Sequence, residues 1–367
     1  EVQVVNISYS LYFHSPKTQV FMAESIRALV EKYNFVICFS AGNNGPALGS
    51  MNRALIYPIG TLTVGAFASK ALAENVHGVV GIPEQGRVIR YSSRGPSIDG
   101  ATGPSVIGPL SSVVHQSPGQ GYRAFSGTSS ASPSVAGFVA VLISRLQQMK
   151  LPIDATTVAA AVKRSARPVS GVAFVDQGYG LPQMDAAVEH YVAMIKGVSL
   201  LGLEGSISDF DRFEVGAKGL VLFQSEGVES REVIVKLQGQ AYNPVSEILE
   251  EVSLEYSEPW IQGPSRMLAS IGSHVVTLWI DASQLPPLLP GEEAFAQVSF
   301  KDSNGSLLHT LPITYLADSR LKADFHSHTL ALGPEEGKRL HFRVHGGIKG
   351  LVLNSNIVTV SNYYECL

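Results

Sequence analysis

The chain has 367 residues, with 27 Lys+Arg against 31 Asp+Glu, a formal net charge of −4 and 16% charged side chains. This balance, with no clustered Lys/Arg, argues against a nucleic-acid or anionic-membrane partner, and no apolar run reaches the ~18 residues of a membrane span. Two cysteines, Cys38 and Cys366, exclude a disulfide framework and fit a reducing compartment.

At roughly 150 residues per domain, the length allows two or three domains. The chain opens on Glu1 with no leader-like segment and reads as an excerpt of a longer protein. Val2–Ser8 (VQVVNIS) is a short β-branched run, predicted as a strand buried on both faces. From Thr18 to Tyr33, Met22, Ile26, Leu29, Val30 and Tyr33 follow helical spacing. Phe35–Ser40 (FVICFS) is a second buried strand, so strand, helix and strand make a βαβ unit with a right-handed crossover. Leu62–Phe67 and Ser105–Pro109 supply further short strands. The segment Ser130–Met149 is apolar almost all round, which predicts a buried helix. Pro133 is tolerable only in a first turn, so that helix must start close to Ser129. Two more helices are predicted over Asp154–Ser165 and Pro182–Met194.

After Lys196 the pattern alternates. Arg231–Leu237, Val252–Tyr256, Val275–Ile280 and Phe295–Phe300 are separated by turn signals, the pattern of an antiparallel β-sandwich, with LPPLLPG at 285–291 as a loop inside it. The predicted fold class is therefore α/β, a parallel sheet sandwiched by helices, followed by an antiparallel β-sandwich. The predicted boundaries are 1–195 for the α/β part, 196–212 for a linker and 213–320 for the sandwich. Residues 321–367 begin a further β-rich segment.

Two stretches carry candidate chemistry. In FSGTSSASPSVAG at 125–137, Gly127 and Thr128 make a tight turn before Ser129, and the buried helix starts directly after it. A serine there sits at the positive end of the helix dipole beside free backbone N–H groups, the environment a nucleophile needs when its attack builds an oxyanion. Taken alone, Gly-Thr-Ser also fits a plain serine cap with small residues for close packing. In FSAGNNGP at 39–46, a buried strand ends in Ala41 and Gly42, and Asn43 emerges at its carboxyl edge, where open α/β sheets bind ligands. Its amide can donate to a developing oxyanion, and Asn-Asn-Gly-Pro equally makes a good turn.

In this order FSAGNNGP, YSSRGPSIDG at 91–100 and SGTSSASPSVAG resemble the subtilisin-like serine peptidases of family S8. The resemblance implies that Ser129 is the nucleophile and Asn43 the oxyanion-hole amide. It implies that Ser8, Tyr9 and Ser10, within the segment NISYS, lie on the strand that pairs with the substrate backbone. Ser40, Ala41 and Gly42 then flank that backbone, with Gly127 and Thr128 beside it. More narrowly, NISY, AGNNGP, SSRGPS and Gln177–Leu181 look like the tripeptidyl peptidase II branch. In the sandwich, Trp260–Ser265 and Leu311–Thr314 stand in corresponding order. That branch implies a large cytoplasmic homo-oligomer that removes tripeptides from free peptide amino termini, with peptides as substrates, no cofactor or metal, and no nucleic-acid or membrane partner.

Three departures stand out. The family order is Asp, His, Asn, Ser, yet neither Asp-Ser/Thr-Gly nor His-Gly-Thr precedes Asn43. His14, His77-Gly78 and Asp302-Ser303 do not fit the triad, so the missing pair is expected upstream of Glu1, and the chain alone is expected to be inactive. Gly108-Pro109-Leu110 replaces the family's Ala-Pro-Gly. Ser10 and Leu11 stand where the branch has a glycine and a glutamate that holds the substrate's ammonium. The alternatives are therefore a subtilisin-like endopeptidase and a catalytically inactive peptide-binding or oligomerisation module. Two further patterns carry no site. Residues 119–124 (GQGYRA) imitate a dinucleotide fingerprint without its strand and helix. His326, His328, His341 and His345 read as solvated strand histidines rather than metal ligands.

Overall fold

The β-branched runs of the first part build a mainly parallel sheet. The computed structural model describes residues 2–9, 16–51, 60–77, 81–96, 100–116, 119–196, 201–207, 217–224, 227–241, 249–289, 292–317, 319–320 and 342–343. Its first elements are β1 (Val4–Ile7), α1 (Pro16–Tyr33), β2 (Val36–Ser40), β3 (Thr61–Ala68), α2 (Lys70–His77), β4 (Arg87–Val88) and β5 (Val106–Pro109). β1, β2, β3 and β5 pair in parallel in that order, and β4 lies antiparallel along the end of β3. Every residue of β2 and β3 is buried, as apolar runs in a covered parallel sheet should be. β1 corrects the expectation. It lies at the edge of the sheet, with β2 as its partner among the described residues, and Asn6 is exposed. An apolar run specifies that a strand forms, not how many neighbours it has.

Next comes a hairpin that the pattern did not predict, β6 (Ser111–His115) with β7 (Tyr122–Ser126). It stands out from the core, with Val113 and Tyr122 exposed, so neither strand shows the apolar run that marks a buried one. α3 (Thr128–Gln148) follows directly, then α4 (Ala155–Arg164), the short α5 (Phe174–Gln177) and α6 (Met184–Ile195). α4 starts where Asp154 caps it, its carboxylate accepting from Thr157 N at 2.7 Å and Thr157 Oγ1 at 2.6 Å. By length and composition α3 is apolar enough to cross a membrane, contrary to the sequence reading. It instead packs against β1, β2, β3 and β5 in the first core. A helix that is apolar nearly all round is satisfied by burial.

The second part is the antiparallel sandwich. Its strands are β8 (Leu201–Ile207), β9 (Leu220–Phe223), β10 (Arg231–Ala241), β11 (Leu249–Tyr256), β12 (Ile261–Gln262), β13 (Arg266–Ser270), β14 (Gly272–Ile280), β15 (Glu293–Lys301) and β16 (Leu307–Leu316). One sheet has the order β12-β14-β10-β8 and the other β13-β11-β15-β16-β9. The pairs are antiparallel except β16 with β9. Trp260 and Phe300 are fully buried in the second core. β8 falls inside the segment read as a 196–212 linker, yet it pairs with β10 along its whole length. Two glycines and a glutamate in LGLEGSI hid its alternation. Of the 321–367 segment, Phe342–Arg343 pairs in parallel with Ser319–Arg320. The remaining residues there, with Cys366 and the four histidines named above, lie outside the described residues.

Cys38 sits fully buried in β2, and burial pushes its thiol up to about 12. Thiolate is the reactive form. Native protein treated with iodoacetamide near neutral pH should therefore leave Cys38 unmodified by peptide mass mapping, and should alkylate it only after denaturation.

Candidate active site

The site is built where α3 begins. Gly127 caps the helix at φ 131° and ψ 171°, a backbone region open to glycine, and its N–H donates to the Leu110 carbonyl at 2.9 Å. Thr128 is fully buried and Ser129 half-buried in the first turn. The first N–H groups of a helix lack helical acceptors, and here nearly all find substitutes. Ser130 N and Ala131 N fold back to the Gly127 carbonyl at 3.0 and 3.1 Å. Thr128 donates twice to Asn43 Oδ1, from N at 3.1 Å and from Oγ1 at 2.8 Å. The Ser129 N–H is left without a partner among the described residues.

Asn43 is exposed at the end of β2, as the motif predicts. With its oxygen accepting twice from Thr128, its Nδ2 hydrogens remain the amide's donors, unengaged among the described residues. A Cβ placed on Gly127 would lie 3.5 Å from Asn43 Nδ2 and 3.7 Å from Ser129 N. The two free donors thus flank one small space beside Ser129, kept open because residue 127 has no side chain. Both point the chemistry the same way. They can hold an oxygen that gains negative charge, at the positive end of a helix.

The other side of the site comes from the end of β1. Pro133 sits in the second turn of α3, not the first. Lacking an N–H, it leaves the Ser129 carbonyl without its helical donor. Ser8 Oγ donates to that carbonyl at 3.0 Å. Ser8 Oγ in turn accepts from Asn6 Nδ2 at 3.1 Å, and Asn6 Oδ1 accepts from the buried Ser132 hydroxyl at 2.7 Å. Ser8 therefore touches the backbone of Ser129 itself. Tyr9 beside it is exposed. Ser10, Leu11 and His14 lie outside the described residues.

Ser40, Ala41 and Gly42 are buried beneath Asn43, and part of their backbone is already taken. Ala41 N donates to Val64 O, and Gly42 O accepts from Ser93 N, each at 2.9 Å. The segment YSSRGP, quoted above only for its likeness, proves to be the brace of this turn. Ser93 Oγ accepts from Asn44 N at 3.1 Å, Tyr91 O accepts from Gly45 N at 2.8 Å, and Ser92 Oγ accepts from Ala66 N at 3.0 Å. Burial raises the pKa of the Tyr91 phenol, so it stays neutral. Arg94 pairs with Asp176 of α5 at 2.5 Å, both side chains largely buried. These contacts join residues 26 to 82 apart in sequence, which no local pattern reveals; a run of serines and an arginine between apolar segments was the available signal.

Gly108 keeps α3 close to β5, since a Cβ there would meet Val135 Cγ2 at 2.9 Å and Ala131 O at 3.0 Å. Among the described residues no histidine or carboxylate bonds to Ser129. His77 ends α2, and His115 stacks edge-on against Tyr122. Asp302, in the sandwich, accepts from Asn304 N and Ser306 N.

The fold agrees with the family match: the Subtilase family profile covers residues 1–181, so the first part of the chain is a subtilase-family domain. Within that family the chain is similar to tripeptidyl-peptidase 2. The protein of that name from Oryza sativa subsp. japonica is 32% identical over 232 residues, covering 62% of this chain and 17% of the relative. The one from Caenorhabditis elegans is 25% identical over 338 residues, covering 88% and 24%. A crystal structure of tripeptidyl peptidase 2 superposes with a TM-score of 0.65 at 24% identity, over 88% of this chain and 25% of that one, and supports the fold. The chain spans at most about a quarter of the length of these relatives.

Removing one partner of a buried ion pair strands the other. Arg94→Ala should lower the unfolding free energy by about 3–5 kcal/mol, measured by chemical denaturation. Ser8→Ala should cost about 1 kcal/mol, the net worth of one neutral hydrogen bond.

Proposed function

We propose that the full-length protein hydrolyses peptide bonds through an acyl-enzyme on Ser129. The observation that carries this reading is the pair of unengaged donors, Asn43 Nδ2 and Ser129 N–H, flanking one space beside the Ser129 side chain. In this reading Ser129 Oγ attacks the scissile carbonyl and its proton passes to a histidine, oriented by an aspartate, both contributed by residues outside the described ones. The carbonyl oxygen becomes an oxyanion held by the two amides. The same histidine protonates the leaving amine, and water then releases the acyl group. No cofactor takes part. Ser8–Ser10 and Ser40–Gly42 flank the peptide on either side, and Gly127 keeps room for its carbonyl.

For the substrate, the similarity to tripeptidyl-peptidase 2 supports release of tripeptides; action on free amino termini by a cytoplasmic homo-oligomer is our proposal from the motif resemblance alone. A second reading, plain endopeptidase activity, is favoured by one residue. Leu11 stands where the resemblance expects a glutamate, and a leucine cannot pair with an α-ammonium.

In the full-length protein, Ser129→Ala should abolish hydrolysis and labelling by a fluorophosphonate. Asn43→Ala should lower kcat by about 10²–10³ with little change in KM, because the donor acts on the transition state. Activity that survives Ser129→Ala would overturn the mechanism. The substrate readings separate on one peptide series with free and acetylated amino termini. A loss in kcat/KM of about a hundredfold on acetylation, about 2.7 kcal/mol, supports tripeptidyl release. Near-equal rates support endopeptidase action.

A further inference from the structure

Where α4 of the first part meets the sandwich there is a cavity of about 200 Å³. Its walls come from both parts. α4 contributes Thr156, Lys163 and Arg164, while the sandwich contributes Glu204, Lys218, His309 and Thr310. Lys163 and Lys218 thus share the lining with one carboxylate, while Arg164 has interactions of its own, Glu250 among them. Glu204 attracts both Lys163 and Arg27, yet forms no salt bridge with Lys163. The Lys163 ammonium makes no hydrogen bond or ion pair with any described residue.

Buried polar atoms normally find partners, and a buried charge without one is costly. This cavity collects several exceptions. Thr310 is only 5% exposed, lines the cavity, and its Oγ1 has no partner. His309 Nε2 is likewise buried and unpartnered. Burial lowers the pKa of Lys163, with Arg164 adding to the effect. Burial, then the charges of Lys218 and Lys163, push His309 down to about 3, so its imidazole is neutral near pH 7. The space is therefore roomy and lined by Lys163, Lys218 and two buried polar atoms, Thr310 Oγ1 and His309 Nε2, that lack partners.

We propose that this junction cavity binds a small tetrahedral oxyanion, inorganic phosphate or sulfate, held by Lys163 and Lys218 with the Thr310 hydroxyl as a neutral donor. A small oxyanion would supply the acceptors that Lys163 and the Thr310 hydroxyl lack. The ligand would bridge α4 and the sandwich, so binding would stabilise their junction. This site lies apart from Ser129 and does not depend on the proposed hydrolysis.

The test uses the full-length protein in a phosphate-free zwitterionic buffer. Inorganic phosphate is titrated by ³¹P line broadening and by thermal unfolding, against sodium chloride at equal ionic strength. A saturable rise in Tm and saturable broadening are expected; sulfate should abolish the broadening by displacing phosphate, while itself sustaining the rise in Tm. Lys163→Met, which keeps the chain length and helix propensity, should weaken phosphate binding about tenfold or more. Lys218→Met should do the same, and it decides the matter if Lys163→Met unfolds by circular dichroism. Phenyl phosphate in competition distinguishes a free ion, if it fails to displace, from the phosphoryl group of a larger ligand, if it succeeds. The proposal is overturned if phosphate acts no differently from chloride. It is also overturned if saturable binding persists unchanged in both folded variants, which would mean an adventitious ion only.

Discussion

The carbonyl oxygen of Ser129 is the point on which the site depends. Pro133 cannot donate to it, so the turn of α3 that carries Ser129 has a hydrogen-bonding vacancy within it. Ser8, from beyond the end of β1, fills that vacancy at 3.0 Å, and Asn6 extends the link to Ser132. Among the described residues β1 pairs with β2 alone, and its residues are half-buried or exposed. Each of these hydrogen bonds is worth only about 0.5–1.5 kcal/mol net. Their weight lies in geometry. They fix the strand proposed to hold the peptide against the helix proposed to attack it, so neither can shift without the other.

Asn43 poses the opposite problem, an exposed side chain on a loop that must nevertheless be held still. Its oxygen is fixed by two donors of Thr128, and its backbone turn by the 91–94 segment. That segment is anchored through Arg94 to Asp176. The Gln177–Leu181 stretch then ties the same region to the sheet, for Tyr179 N donates to Ser105 O and Ile107 N to Gly180 O. A loop residue gains precision from a rigid scaffold rather than from its own packing. The three motifs that looked like separate marks of likeness are thus one mechanical unit.

This explains what was legible in the sequence. Apolar periodicity located β2, β3, α3, α4 and the long sandwich strands, because burial on one or both faces leaves a mark on composition. Ser129 and Asn43 were legible because glycines and a proline must surround them for backbone reasons. The β6–β7 hairpin and β8 were not, since one is exposed and the other carries two glycines and a glutamate. β1 was read as buried on both faces, yet Val4, Val5 and Ile7 are only half-buried and Asn6 is exposed. The Pro133 argument found the right helix start for a reason that the structure revises: a proline deeper in the helix is tolerated when another group meets the abandoned carbonyl. The brace around Asn43 could not be read at all, being made of contacts between residues remote in sequence.

The start of α3 also shows how a reactive site can be held ready without instability. A helix has four amino-terminal N–H groups to satisfy, and an unsatisfied one that is buried costs about 1–3 kcal/mol. Here Thr128 is served by Asn43, while Ser130 and Ala131 turn back to Gly127. The remaining donor, on Ser129, belongs to a half-buried residue beside the open space over Gly127. Water can meet that donor in the resting protein, so leaving it free costs little. In the proposed reaction an oxyanion would meet it with full charge, and together with the Asn43 amide it would meet two donors already in place. The gain is therefore concentrated where charge develops, which is the condition for lowering a barrier rather than merely tightening binding.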